Sequence, residues 1–290
     1  MTGTTGRTHL GSAGPLAGLA LVCFAANSIL ARLALRSGHI DPASFTAIRL
    51  ASGALALGLL LQLNQARAAS AARRSNQWTA ALLLFLYAAP FSFAYVTLPT
   101  GTGALVLFGA VQLTMMGFAV GSGERPRLLE WAGLVIALAG LVYLNLPGLG
   151  APSPVGTGLM AIAGVAWGLY SIRGRRADAP LRQTATSFLL ATPMGVALFA
   201  ARLGQFHSTS AGVACAVASG AIASGGGYAI WYSALPRLSV ARAGTIQLAV
   251  PVLAALAGVM LLGEQVSLRL VLSAVAILGG VGLAISARRG

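Results

Sequence analysis

The chain contains one apolar hairpin twice, and this repeat limits the possible folds more than any other feature. Residues 239–289 hold an apolar run, a break at Gly263-Glu264, a second apolar run and an arginine pair. Residues 100–146 follow the same plan 140 positions earlier, with Gly123-Glu124 at the break. Each apolar run has about 20 residues, which is enough for a helix to cross a bilayer core. The sequence therefore predicts a repeated pair of membrane-spanning helices.

Composition places the whole chain in a membrane. Of its 290 residues, 57% are hydrophobic and 8% are charged, whereas a soluble domain carries roughly 25% charged residues. The net charge of +14 comes from arginines that lie mostly in short gaps between apolar runs. That placement is typical of membrane topology signals rather than of a phosphate-binding face. We therefore expect the lipid bilayer as a partner and no nucleic acid.

Hydropathy and helix breakers divide the chain into ten apolar spans and predict an all-α polytopic membrane protein. Their approximate limits are 13–36, 42–63, 78–98, 101–122, 128–146, 155–174, 181–202, 210–235, 239–262 and 266–287.

The distribution of arginines predicts how these spans are oriented. If the N-terminus is cytoplasmic, 14 arginines lie in cytoplasmic segments and 4 in external ones, and Arg49 lies within a span. The 140-residue offset divides the chain into two five-helix units, residues 1–150 and 151–290. Because five is odd, the second unit enters the membrane from the opposite side. The two units are therefore predicted to be inverted repeats, a common plan of secondary transporters, with both termini in the cytoplasm.

The chain resembles the EamA-type drug/metabolite transporter superfamily over almost its whole length. The matching features are Trp167-Gly168 in span six, Pro251 in span nine and Leu262-Gly263-Glu264 at the end of span nine. The first copy departs from the pattern, with Asn27-Ser28 and Val111 at the equivalent positions. Within the superfamily the chain looks most like bacterial amino-acid exporters of the YddG type. The resemblance implies a central cavity lined by spans one to four and six to nine, with spans five and ten outside it.

The acidic residues bear on energy coupling. The five acids all lie at or near predicted span ends, so no mid-membrane carboxylate is available to exchange a proton for a cationic substrate. Glu124 and Glu264 are interpreted as helix-end anchors, each close to the positive start of the next helix. We expect facilitated diffusion without ATP; the alternative is a proton-coupled effluxer of drugs or other metabolites.

Arg49 is the charge that lies well inside a span. It follows Pro42 by seven residues, which places it roughly 10 Å from the external end of a helix. The planar fork of a guanidinium suits a substrate carboxylate. The alternative interpretation is structural, with the side chain reaching outward or binding carbonyl groups at a helix end.

Aromatic side chains are the predicted lining of the cavity. Those on span three stand four residues apart and share one helix face. Others on spans six and eight are expected to face them across the pseudo-symmetry axis, although ordinary packing between helices remains the alternative. The candidates are Tyr87, Phe91, Tyr95, Trp167, Tyr170 and Tyr228.

Two mid-span polar residues complete the candidate site. Asn27 on span one and Gln247 on span nine are expected to contact the substrate, with hydrogen bonding between helices as the alternative. Gly225-Gly226-Gly227 in span eight is interpreted as a hinge, with close helix packing as the alternative. No metal site and no cofactor are expected.

These features together predict an inner-membrane exporter of small metabolites, most directly amino acids with apolar or aromatic side chains, that works by alternating access. A monomer is favoured. An intramembrane enzyme is disfavoured because the sequence has no H-E-x-x-H or G-x-S-x-G motif and no paired mid-span acids.

Overall fold

A computed structural model describes residues 13–63, 77–123, 127–146, 151–174, 179–234, 247 and 249–287. The regular structure of these residues is helical, apart from an isolated bridge between Ile40 and Ser208. In chain order the main helices are α1 (Ala13–Arg36), α2 (Pro42–Leu63), α3 (Gln77–Ala94), α4 (Thr100–Gly121), α5 (Leu128–Asn145), α6 (Pro154–Gly174), α7 (Pro180–Ala201), α8 (Ser210–Ala234), α9 (Ala249–Leu262) and α10 (Leu268–Ala287).

Seven of the described helices, α1–α4 and α6–α8, are long and apolar enough to cross a membrane. The remaining apolar helices include shorter stretches at Leu128–Leu144, Ala249–Leu262 and Leu268–Ala284. The described part of the chain is therefore that of a polytopic membrane protein. The ten-span count and the inverted repeat stay predictions.

The predicted end of span three differs from the structure, and the predicted start of span nine lies mostly outside the described residues. The third helix ends at Ala94 rather than near residue 98, and the next residues form turns in which the N–H groups of Thr97 and Leu98 donate to the carbonyl of Ala94. Pro99 then disfavours helical backbone at Leu98, so the helix does not resume before α4. The ninth helix is described from Ala249, and most of its predicted start, residues 239–246, lies outside the described residues.

The helices form a bundle in which α5 and α10 lie to one side. These two helices pack chiefly against each other and touch α4. Gly133 and Gly280 allow their backbones to meet, because a Cβ atom on either glycine would collide with the opposite helix. The core is formed by the packing of α2 on α7, of α6 on α3 and α4, and of α1 on α8 and α9.

Helix α8 is interrupted by a π-helical segment over Ala218–Gly226. Regular α-helix precedes it at Ser210–Val217 and follows it at Gly227–Ala234. The segment crosses α2 closely, because a Cβ atom on Gly220 would collide with the hydroxyl of Ser52 and the carbonyl of Arg49. A π segment within a transmembrane helix is uncommon and often marks a functional site.

The loop between α1 and α2 is tied to the loop between α7 and α8. Asp41 caps α2 by accepting hydrogen bonds from the backbone N–H groups of Ala43 (3.0 Å) and Ser44 (2.8 Å). The backbone N–H of Thr209 donates to the carbonyl of His39 at 2.7 Å. These contacts close one side of the bundle end at which α1 stops and α2 starts, referred to below as the α1–α2 end.

Candidate functional site

A small cavity of about 20 Å³ lies in the middle of the bundle. It has room for about one water molecule and none for a metabolite. The structure is therefore closed around this point. The described lining is Phe24, Asn27, Ser28, Tyr87, Phe91, Leu107, Phe108, Trp167, Ala223, Ser224 and Tyr228.

The aromatic part of this lining forms one connected cluster with Trp167 at its centre. The ring centroid of Trp167 lies 5.0 Å from that of Tyr87 on α3 and 4.9 Å from that of Tyr228 on α8. Phe24 on α1 meets Tyr228 edge-on at 5.9 Å. Rings at such separations attract one another beyond their apolar area. The cluster therefore joins four helices with flat, mostly apolar surfaces.

Arg49 lies directly behind the wall of the cavity and is only 1% exposed. Its guanidinium carbon is 5.0 Å from the ring centroid of Tyr87 and 4.8 Å from that of Phe91, distances at which a cation is attracted to an aromatic ring. Its Nη2 atom donates to the hydroxyl of Tyr87 at 3.0 Å. Nε and Nη2 both donate to the hydroxyl of Ser224, at 3.3 and 3.2 Å.

The third nitrogen of this guanidinium makes no hydrogen bond to the described residues. Nη1 of Arg49 is buried and has no hydrogen-bond partner among the described residues. The side chains that hold Arg49 are hydroxyls and aromatic rings, and none of them is an acid. The site therefore contains a buried positive charge with a spare donor.

A chain of hydrogen bonds connects this charge to α1. The hydroxyl of Ser219 donates to the side-chain oxygen of Asn27 at 2.6 Å, and the amide nitrogen of Asn27 donates to the hydroxyl of Tyr87 at 3.2 Å. The hydroxyl of Tyr87 thus accepts from both Asn27 and Arg49. All of these polar groups are buried, where hydrogen bonds are stronger than in water.

The structure brings most of the sequence-predicted site residues together. Asn27, Tyr87, Phe91, Trp167 and Tyr228 line the cavity, and Arg49 touches it from behind.

The other three predicted residues lie elsewhere. Tyr170 stacks on Trp167 at 5.6 Å and is not part of the described lining. Tyr95 lies one residue beyond the end of α3 and directs its hydroxyl to the carbonyl of Thr100. Gln247 is partly buried and is not part of the described lining.

Sequence reasoning did not single out Ser219 and Ser224. Five residues are about 1.4 turns of an α-helix, so an α-helical reading places these two serines on different faces. In a π-helix the backbone bonds join residues five apart, and both serines face the first half of the chain. The glycine run that follows Ser224 was the available signal for irregular backbone. Phe24 was missed for a simpler reason, since it lies in an otherwise ordinary apolar stretch.

A polar network closes the rest of the α1–α2 end. Arg32 on α1 pairs with Glu264 at 3.2 Å and also donates to the carbonyls of Tyr95 and Val96, each at 3.0 Å. The second carboxylate oxygen of Glu264 accepts the backbone N–H of Thr100, at the start of α4, at 2.8 Å. Glu264 therefore caps α4 rather than the helix that follows it, α10. Glu124, its predicted counterpart, lies outside the described residues.

A second cavity of about 310 Å³ lies toward the opposite end of the bundle. It is lined by the first residues of α1 and α7 and the last residues of α2 and α8. Its lining is mainly apolar, with the hydroxyls of Tyr232 and Ser233 as polar groups.

No group of three or more histidine, cysteine or acidic side chains that could hold a metal ion occurs within the described ranges.

Comparison with known proteins identifies membrane transporters among the relatives of this chain. The model of the EamA-like transporter family matches residues 155–286. An uncharacterised protein of Pseudomonas aeruginosa, PA1977, is 49% identical over 94% of each chain. The uncharacterised inner membrane transporter YedA of Escherichia coli K12 is 35% identical over 29% of this chain and 27% of its own. A solved crystal structure shares the fold, with a TM-score of 0.67 and 24% identity over 97% of this chain and 99% of that one.

Proposed function

The chain belongs to the EamA-like transporter family and is a multi-pass inner-membrane protein, and we propose that it exports amino acids with aromatic or apolar side chains. The observation that carries this proposal is Arg49, a buried guanidinium that contacts hydroxyls and rings but no acid among the described residues and lies next to an aromatic cavity. A substrate carboxylate supplies the missing negative charge, and an apolar side chain fits among the rings.

The proposed topology is ten helices in two inverted five-helix repeats, residues 1–150 and 151–290, with both termini in the cytoplasm. In that orientation the α1–α2 end faces outward, and the network of Arg32 and Glu264 closes the external side. The larger cavity then lies on the cytoplasmic side, where a substrate destined for export enters. Alternating access follows from movement of the halves that breaks the external contacts and encloses the cytoplasmic side.

We further propose that transport is passive. Proton-coupled exporters of cations use a carboxylate within the membrane. The three described acids are each at a helix end: Asp41 caps α2, Glu130 lies in the first turn of α5, and Glu264 caps α4. The central charge is positive instead, which disfavours cationic drugs as substrates and favours anions or zwitterions.

Efflux from cells tests the direction and the substrate class together. Cells are loaded with labelled phenylalanine, methionine or threonine, and the loss of label is followed with and without expression of the protein. We expect faster loss of phenylalanine and methionine with the protein, and no acceleration with an Arg49→Ala variant of equal abundance. Equal rates of loss in all three cultures would contradict the proposal.

A further inference from the structure

One hydroxyl group, that of Ser224, lies between Arg49 and the central cavity. Ser224 lines the central cavity, and its hydroxyl accepts hydrogen bonds from both Nε and Nη2 of Arg49. These two nitrogens form one edge of the guanidinium fork, the edge that a carboxylate takes with two parallel bonds. A single neutral oxygen therefore occupies the place of an anion and separates Arg49 from the cavity.

The net charge of the site favours a monoanion over a zwitterion as its ligand. The charge of Arg49 is met by hydroxyls and by the faces of two rings, and no described acid touches it. A monoanion makes the buried site neutral, whereas a zwitterion leaves the net charge at +1 and adds an ammonium group. Since an uncompensated buried charge is costly, the monoanion is expected to bind more tightly.

The acceptors around the cavity are already in use, so they offer an ammonium group little. The hydroxyl oxygen of Tyr87 already accepts from Asn27 and Arg49. The oxygen of Asn27 already accepts from Ser219. An ammonium group finds ring faces there and no described carboxylate.

We propose that the central site is an anion site covered by Ser224, in which the carboxylate of the substrate displaces the Ser224 hydroxyl from Arg49 and the amino group is dispensable. The ligand class is then aromatic and apolar monocarboxylates, of which amino acids are members. This inference rests on the proposed function for the location of the site. It goes further by making the carboxylate the group that is recognised.

Displacement of Ser224 also explains how binding moves the helices. Ser224 belongs to the π segment of α8, and Arg49 to α2, where the two helices touch through Gly220. A carboxylate that replaces Ser224 removes a hydrogen-bonded contact between the first and second halves of the chain. Substrate binding and loosening of the halves then become one event.

Three compounds that share one ring test the inference without any mutation. Phenylalanine carries both charges, 3-phenylpropanoate only the carboxylate, and phenethylamine only the ammonium group. Each is titrated into the purified full-length protein in detergent, and binding is followed by tryptophan fluorescence, to which Trp167 in the cavity wall responds. We expect 3-phenylpropanoate to bind at least as tightly as phenylalanine, and phenethylamine to bind at least ~tenfold more weakly.

Two serine variants of the same π segment test the role of Ser224. Ser224→Ala removes the hydroxyl that competes with the carboxylate and should lower the dissociation constant of 3-phenylpropanoate by roughly two- to tenfold. Ser219→Ala removes a hydroxyl that bonds to Asn27 and should not tighten binding. Weaker binding of similar size in both variants would make Ser224 a structural residue and overturn the inference.

The outcomes separate this inference from the proposed function. Binding of phenethylamine as tight as that of 3-phenylpropanoate would overturn the anion site, even if phenylalanine is transported. Binding of 3-phenylpropanoate without export of any amino acid would uphold the anion site and contradict amino-acid export. No binding of any of the three compounds to folded protein would contradict both.

Discussion

The guanidinium of Arg32 on α1 and the carboxylate of Glu264, just after α9, form an ion pair at 3.2 Å that joins the two halves of the chain. Both side chains are 9% exposed. Each also bonds to backbone at the α1–α2 end, Arg32 to the carbonyls after α3 and Glu264 to the first N–H of α4. Four helices are therefore held by one pair of charges above the central cavity.

Neutralising this pair should loosen the α1–α2 end. In Glu264→Gln the ion pair is lost while the side chain keeps its size. We expect a cysteine placed at Ser28, in the cavity wall, to react with a membrane-impermeant thiol reagent roughly tenfold faster from the external side. Cys23 and Cys215 are replaced first to remove background labelling. No change in the labelling rate would show that Glu264 does not help to close this end.

Exchanging the two charges should not restore closure. A glutamate at position 32 would face the carbonyls of Tyr95 and Val96, and an arginine at position 264 would face the N–H of Thr100. The double variant Arg32→Glu/Glu264→Arg should therefore label at least as fast as either single variant. Recovery of slow labelling would mean that the ion pair alone holds this end.

Replacing Arg49 should strongly reduce transport without lowering the abundance of the protein in the membrane. Arg49→Ala loses the carboxylate partner, and Arg49→Lys keeps the charge but loses the planar fork. We expect initial rates of phenylalanine transport to fall at least ~tenfold in both variants at equal abundance in the membrane. The matched control is Arg202→Ala, an exposed arginine that should leave the rate unchanged. Parallel loss of transport and abundance in the Arg49 variants would assign this residue to structure alone.

A negative charge next to Tyr87 should compete with the substrate. Asn27→Asp places a carboxylate next to the hydroxyl of Tyr87, which also bonds to Arg49. It should weaken binding of 3-phenylpropanoate by at least ~tenfold, because the site then already contains its anion. Asn27→Ala removes the same hydrogen bond without adding charge and should weaken binding less. Equal effects of the two variants, measured by fluorescence titration, would contradict the charge argument.

The crossing of α2 and α8 can be tested with two glycines of the π segment. Gly220→Ala should be destabilising by ~1–3 kcal/mol, because its Cβ atom would collide with Ser52 and the backbone of Arg49. Gly226→Ala should be tolerated, since the nearest atom lies 3.8 Å from the added Cβ. Thermal unfolding of the two purified variants gives the comparison. Equal unfolding midpoints would show that the crossing is not tightly packed.

Much of the architecture could be predicted from residue periodicity and composition. Long apolar runs separated by prolines and glycines predict helices. In a bilayer core the backbone N–H and C=O groups must be hydrogen-bonded within the protein, and a helix achieves this. Repeated spacing of Tyr87 and Phe91 places both rings on one face, and Trp167 and Tyr228 do join them. The burial of Arg49 was also readable from its position within a span.

The features that could not be predicted depend on irregular backbone or on contacts between distant segments. Ser219 and Ser224 share a face because part of α8 is π-helical, and helical periodicity in sequence assumes α geometry. Arg32 counted as a signal of membrane topology, yet its partner Glu264 is 232 positions away in the sequence. No local pattern contains such a pairing.

Counterflow in proteoliposomes tests the central claim most directly. Vesicles that contain the purified protein are loaded with unlabelled phenylalanine, given the labelled form outside, and kept without any ion gradient. A passive carrier with the Arg49 site predicts saturable, transient accumulation of label that 3-phenylpropanoate inhibits and that Arg49→Ala abolishes. Absence of accumulation with folded protein, or accumulation only after a pH step, would contradict passive transport of amino acids through this site.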